Sequence, residues 1–198
     1  MKTVGVLAIQ GDVSEHVDAV RRAVEKLRLG YSVRRVRYAA EIGQLDAVVI
    51  PGGESTTIGK LLEKNKLFDA IKKRASAGMP VLATCAGMIL MAMEGDGDVE
   101  KTGQPLLGLM SYRVDRNAFG RQRESFEVDL KIPVLGREKF HAVFIRAPAV
   151  SKTWGDAKPL ASYGGRVVLV RQGSMLSAAF HPELTKDTRL HEYFLKVI

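Results

Sequence analysis

The chain has 198 residues, of which 46% are hydrophobic and 26% charged, with 30 Lys and Arg against 22 Asp and Glu for a formal charge of +8. These values fit one globular domain spanning 1–198 better than two small domains, and they argue against a disordered chain. The single cysteine excludes an intrachain disulfide and makes a reducing cytoplasm the expected compartment.

Thr3–Ile9 is a continuous apolar run, as in a strand buried on both faces; it is too short, and followed by too much acid, for a signal peptide. No run approaches the roughly 18 residues of a membrane span. Gly11-Asp12 breaks the strand. Val17, Val20, Val24 and Leu27 then mark the apolar stripe of a helix over Ser14–Leu27, stopped by Gly30. Tyr31–Tyr38 and Asp46–Ile50 read as strands. Pro51-Gly52-Gly53 ends the latter, and a helix is expected near Ser55. A helix over Leu67–Ala77, a strand over Pro80–Thr84 and a helix over Ala86–Glu94 complete the first half. Such alternation builds a parallel sheet with helices on both faces.

The second half reads differently. Glu94–Gln104, with Gly95-Asp96-Gly97-Asp98, is the expected loop. Leu106–Val114, Ser125–Lys131, Phe140–Ile145, Arg166–Gln172 and Ser174–Phe180 read as strands, with a tight hairpin at Gly173. A helix over Lys186–Val197 closes the chain, and the last strand and helix are expected to return to the first sheet. The expected fold class is therefore α/β: three layers, with a mixed, mainly parallel central sheet and an inserted antiparallel portion.

The densest basic group, Arg34-Arg35-Val36-Arg37, lies in a predicted strand, without a zinc-finger or RNA-recognition signature. A solvated mixed-sign surface accounts for the charge, and a nucleic-acid module is the rival.

The chemistry concentrates at three places. An apolar strand stops at Cys85, and small residues Ala86-Gly87 open a helix directly after it. This is the layout of a nucleophile elbow, in which the helix N-terminus favours a thiolate and offers backbone N–H groups. The competing reading is a small buried hydrophobe. Phe180-His181-Pro182-Glu183 follows a second apolar strand. His181 can serve as a base there and Glu183, two residues on, can orient it; a structural histidine before a turn proline is the alternative. His16 and His191 fall on helices as surface or packing residues, and His141 reads as structural. The third place, Pro51-Gly52-Gly53-Glu54-Ser55-Thr56-Thr57, frees N–H groups after a strand. It has neither the phosphate-loop spacing nor a dinucleotide fingerprint.

With Gln10–His16, Arg116-Asn117-Ala118-Phe119-Gly120-Arg121-Gln122, Glu124-Ser125-Phe126, Phe144-Ile145-Arg146-Ala147-Pro148 and His181–Thr185, these pieces resemble the class I (triad) glutamine amidotransferases over nearly the whole chain. The closer resemblance is to the glutaminase subunits of pyridoxal 5'-phosphate synthase, the PdxT family. One departure is Ala83, where that family has glycine two residues before the cysteine.

The resemblance implies a flavodoxin-like fold and hydrolysis of L-glutamine to glutamate and ammonia. The ammonia would go to a synthase subunit of the PdxS family, which joins it to a pentose and a triose phosphate in making vitamin B6. It implies catalytic Cys85, His181 and Glu183, and an oxyanion site from Ala86 and Gly53. Gly52, Gly53, Glu54, Arg116, Ile145 and Arg146 would meet the glutamine. An arginine fork suits its α-carboxylate, although either arginine could instead form a surface ion pair. Gln10 and His16 are the expected partner contact. No metal, cofactor, nucleic acid or membrane is implied. A Cys–His hydrolase or chaperone-like protein of the same fold is the alternative.

Overall fold

The computed structural model describes residues 1–120 and 125–198. In chain order the elements are β1 (Thr3–Leu7), α1 (Val13–Lys26), β2 (Ser32–Val36), α2 (Ala39–Ile42), β3 (Ala47–Ile50), α3 (Ser55–Lys64), α4 (Leu67–Ser76), β4 (Val81–Thr84), α5 (Ala86–Met91), β5 (Ala92–Gly95), α6 (Gly97–Thr102) and β6 (Met110–Asp115). There follow β7 (Ser125–Leu130), β8 (Phe140–Ile145), β9 (Ala149–Thr153), β10 (Lys158–Tyr163), β11 (Arg166–Gln172), β12 (Met175–Ala178) and α7 (Arg189–Leu195), with 3-10 turns at Pro133–Leu135 and Pro182–Leu184.

The main sheet runs β2-β1-β3-β4-β12-β11-β9-β6-β5, with β10 on β11; β7 and β8 form a separate ribbon. From β2 to β12 every pairing is parallel. β12, β11, β9 and β6 pair antiparallel, and β5 closes the far edge parallel to β6. The sheet is thus mixed, and its parallel half carries the site. The last strand does return to the first sheet: β12 lies beside β4 in the register Ala178↔Thr84.

Side-chain parity builds the layers. Val4, Val6, Ala47, Val49, Leu82 and Leu176 point to one face and pack on Val17, Val20 and Val24 of α1 and Phe194 and Leu195 of α7. The alternate residues Val48, Ile50, Val81 and Ala83 point to the other, against Ile58 and Leu62 of α3, Ile71 of α4 and Met88 of α5. No helix among the described residues is long and apolar enough to cross a membrane.

Several sequence expectations are corrected. The helix expected over Ala86–Glu94 ends at Met91, because Ala92–Gly95 turns extended and pairs with β6. The expected loop Glu94–Gln104 contains that strand end and all of α6. The Asp96 carboxylate accepts from the N–H groups of Asp98 and Val99, so the acidic residues cap a helix where Gly-Asp repetition reads as loop. α2, β9 and β10 lie in stretches assigned no element, and the closing helix is shorter than Lys186–Val197. The hairpin at Gly173 is present, joining β11 and β12 with φ +58°.

Candidate active site

β4 ends at Thr84, and Cys85 follows with φ 48° and ψ −104° before α5 begins at Ala86. A non-glycine residue in that region is strained, as a sharp strand-to-helix turn requires. Gly87 permits it: a Cβ there would lie 2.6 Å from the Ile50 carbonyl oxygen. The Cys85 N–H donates to the Ala178 carbonyl at 2.8 Å, so the elbow is tied to the end of β12. Three residues beyond that point is His181, whose own N–H donates to Val143 of β8 at 2.8 Å. Cysteine and histidine therefore leave the carboxyl ends of adjacent parallel strands, the usual ligand edge of an open α/β sheet.

His181 is 3% exposed and its ring makes three polar contacts. Nδ1 lies 2.7 Å from Oε1 of Glu183 and 3.2 Å from Oδ2 of Asp12. The ring also hydrogen-bonds Cys85. With both carboxylates on Nδ1, Nε2 is the nitrogen left for the thiol. Burial alone would pull the imidazole down. The hydrogen bonds to Asp12, Cys85 and Glu183 outweigh it and push the pKa up to about 12. Burial pushes the Glu183 carboxyl up, against the pull of His181. The His181 hydrogen bond holds Asp12 below the usual carboxylate range, against partial burial.

Glu183 reaches the ring by a different route from the expected one. Pro182–Leu184 is a 3-10 turn rather than extended chain, and that turn buries the carboxylate. Asp12, Glu183 and His181 are also the set of side chains, among the described residues, whose ligand atoms lie close enough to hold a cation, within 4.8 Å of one another. A protonated ring between two carboxylates already supplies the positive charge.

The open side is a cavity of about 340 Å³ lined by Cys85, His181, Glu54, Arg116, Ile145 and Arg146, together with Gln10, Asp12, Gly53 and Asn117. Its volume suits a small ligand. Glu54 caps α3, accepting from the N–H groups of Thr56 and Thr57 and from the Thr57 hydroxyl. Burial opposes ionisation of Glu54, but these bonds hold its pKa at about 2. Arg116 Nη2 donates to Glu54 Oε1 at 2.6 Å and Nη1 to Thr56 Oγ1 at 3.2 Å, so Glu54 orients a half-buried guanidinium at the cavity wall. Arg146 sits at φ 42°, and the Cys85 thiol donates to the Ile145 carbonyl at 3.8 Å.

The glycine turn touches the His181 ring directly. A Cβ on Gly52 would lie 2.5 Å from Cε1 and 3.1 Å from Nδ1 of His181. Gly53, at φ +145°, abuts the Gln10 side chain, whose Oε1 accepts the Glu54 N–H at 3.0 Å.

The structure brings most of the expected residues to one cavity, with one correction. His16 is fully buried beneath the site, so it presents no surface to a partner. Gln10 turns its carbonyl inward to the Glu54 N–H and lines the cavity. Arg121, Gln122 and Glu124 of the motif segments lie outside the described residues. His141 is exposed on β8, between Asp129 and Glu127. Asp12 was passed over, although its place after a central parallel strand is a signal for such a site.

Residues 6–198 match the sequence profile of the SNO glutamine amidotransferase family. The pyridoxal 5'-phosphate synthase subunit PdxT of Moorella thermoacetica is 50% identical over 195 residues, 98% of each chain. That of Pelotomaculum thermopropionicum is 52% identical over 193 residues, 98% of this chain and 93% of the other. A crystal structure of a glutamine amidotransferase superposes with a TM-score of 0.86 at 46% identity, over 98% of this chain and 97% of that one. The PurLQS structure from Thermotoga maritima shares the fold, with a TM-score of 0.66 at 15% identity, over 99% of this chain and 97% of that one.

Proposed function

The chain belongs to the SNO glutamine amidotransferase family, and from that premise we propose that it is the glutaminase subunit of a pyridoxal 5'-phosphate synthase, working in vitamin B6 biosynthesis. Its substrate is L-glutamine, and the ammonia passes to a separate synthase subunit. Relatives at about 50% identity over nearly the full length are named pyridoxal 5'-phosphate synthase subunit PdxT. The single observation that carries the chemistry is the buried line Cys85–His181–Glu183 opening onto the cavity.

On this reading the Cys85 thiolate attacks the side-chain amide carbon, and the developing oxyanion is held by the Ala86 N–H and one from the Gly52-Gly53 turn. His181 gives its Nε2 proton to the departing nitrogen, so that ammonia leaves and a thioester remains. The neutral ring then takes a proton from water, which attacks the thioester and frees glutamate with return of the thiolate. Glu183 and Asp12 stabilise the imidazolium through Nδ1. Arg116, held by Glu54, suits the α-carboxylate of glutamine, and Ile145 and Arg146 line the same wall.

The partner reading rests on the Gln10–Asp12 turn, which touches both the glycine turn and His181. Docking against this turn can select the Gly52-Gly53 peptide orientation that completes the oxyanion site. The test is steady-state glutamine hydrolysis by the chain alone and with a synthase subunit. Activation on the order of 10²–10³, the worth of one oxyanion donor, is expected; equal rates would refute the switching.

A further inference from the structure

His16 lies on α1, fully buried, with its ring against the back of the Cys85–His181–Glu183 line. Its Nε2 is 2.9 Å from Oγ1 of Thr84, the residue before Cys85, and 3.3 Å from Oε2 of Glu183. Glu183 spends Oε1 on His181, and Oε2 is buried with no formed hydrogen bond among the described residues; His16 Nε2 faces it at ion-pair distance.

The tautomer of His16 follows from its surroundings. Burial, then the charges of His191 and His181, hold its pKa well below the ordinary value, so the ring is neutral and has one N–H to place. On Nδ1, which meets no partner, that proton would be an orphaned buried donor, and Nε2 would face Oε2 lone pair to lone pair. On Nε2 it is given to Oγ1 of Thr84 while facing the negative Oε2 at 3.3 Å, and Nδ1 is left only as an idle acceptor. The proton therefore sits on Nε2.

We propose that His16 is a positioning residue that extends the catalytic line to Cys85–His181–Glu183–His16, its Nε2–H holding the second oxygen of Glu183. The line closes on itself, because Thr84, the other acceptor, carries the elbow. This inference rests on the glutaminase reading only for its name, since the same geometry would serve any thiol chemistry at Cys85. The charged and titratable groups facing the pair are His181 and Asp12 around Glu183, and His191 around His16, with Arg22 and Asp187 beyond His191. None of them donates to Oε2.

Without the His16 donor, the Glu183 carboxylate is less stabilised and takes a proton more readily. His181 then loses part of its counter-charge, and the thiolate–imidazolium pair is less populated near neutrality. The test is the pH profile of Cys85 alkylation by iodoacetamide, which needs neither glutamine nor partner and has a single thiol to read. In His16→Gln the amide nitrogen falls where Nε2 stood, whereas in His16→Asn it falls where Nδ1 stood. His16→Asn is expected to move the acid limb up by about one pH unit, slowing alkylation on that limb about tenfold. His16→Gln is expected to restore the limb. Thr84→Val, which leaves the whole donor to Glu183, is expected to move it down, and this holds as a test if His16→Asn does not fold.

In glutamine hydrolysis His16→Asn should lower kcat with KM unchanged, since His16 does not line the cavity. Equal profiles for Asn, Gln and wild type in folded protein, an equal displacement of Asn and Gln, or an upward shift in Thr84→Val would overturn the proposal. Displaced alkylation limbs in a protein that hydrolyses no glutamine would uphold it and refute the glutaminase reading.

Discussion

The two halves of the sheet contribute differently to the cavity. The parallel half, β2 to β12, delivers Asp12 from the turn after β1 and Cys85 and His181 from the ends of β4 and β12, the latter two locked by backbone N–H bonds to Ala178 and Val143. The antiparallel half and the separate β7–β8 ribbon deliver Arg116 from the end of β6 and Ile145 and Arg146 from the end of β8, with Arg116 held by a side-chain pair across the cavity to Glu54. On the proposed roles, the difference teaches that proton transfer is assigned to residues whose backbone is least free to move. Binding groups sit where partner side chains set their direction.

Breaking the parallel half should therefore cost turnover, and breaking the antiparallel half should cost affinity. The largest effect is expected for His181→Asn, which removes the base and acid together and should lower kcat by about 10²–10⁴. Glu183→Gln, which keeps a hydrogen-bonding group on the ring, should cost less. Equal losses in equally stable proteins would count against their assigned roles. Gly52→Ala comes next. Its Cβ would press on the His181 ring at 2.5 Å, and a displacement of about 1 Å can cost about 10² in kcat; a rate within twofold of wild type would show that the ring has room to retreat.

Arg116→Ala is the matching test of the other half. It should raise KM for glutamine about tenfold to a hundredfold, the worth of a charged hydrogen bond, with a smaller change in kcat. A pure kcat loss would move Arg116 from binding to chemistry.

The smallest effect concerns stability. Burial holds His191 down to about 4 from its ordinary 6.5, and neither ring nitrogen has a partner among the described residues. The unfolded chain binds that proton and the folded one does not, so stability falls as pH drops below about 6.5 and levels off near 4. For this fully buried group the loss is about 3 kcal/mol. Urea unfolding of His191→Leu should show that share of the acid dependence gone, with stability at pH 7.5 little changed.

The parallel half was the more legible in sequence. Its strands beside the site are largely apolar runs, and Cys85 and His181 each stand where such a run stops. The antiparallel half was read less well. Strands β9 and β10 are short and polar on one side, and α6 depends on the Asp96 side chain turning back onto its own helix. The Arg116–Glu54 pair joins residues 62 apart, which no local pattern encodes. Of the two readings of His16, surface or packing, the structure shows packing, and only its place as a partner contact falls; it stands four residues before Val20 and eight before Val24, on the buried stripe that helical spacing marks.

The central claim is that Cys85 carries the acyl group between loss of ammonia and release of glutamate. Its most direct test is intact-mass measurement of the protein quenched in acid during turnover of glutamine with the synthase subunit present. The account predicts an adduct on Cys85 with the mass of glutamine less ammonia, removed by hydroxylamine and absent from Cys85→Ala, which should fold and be inactive. A folded Cys85→Ala protein that turns over glutamine at the wild-type rate would contradict it.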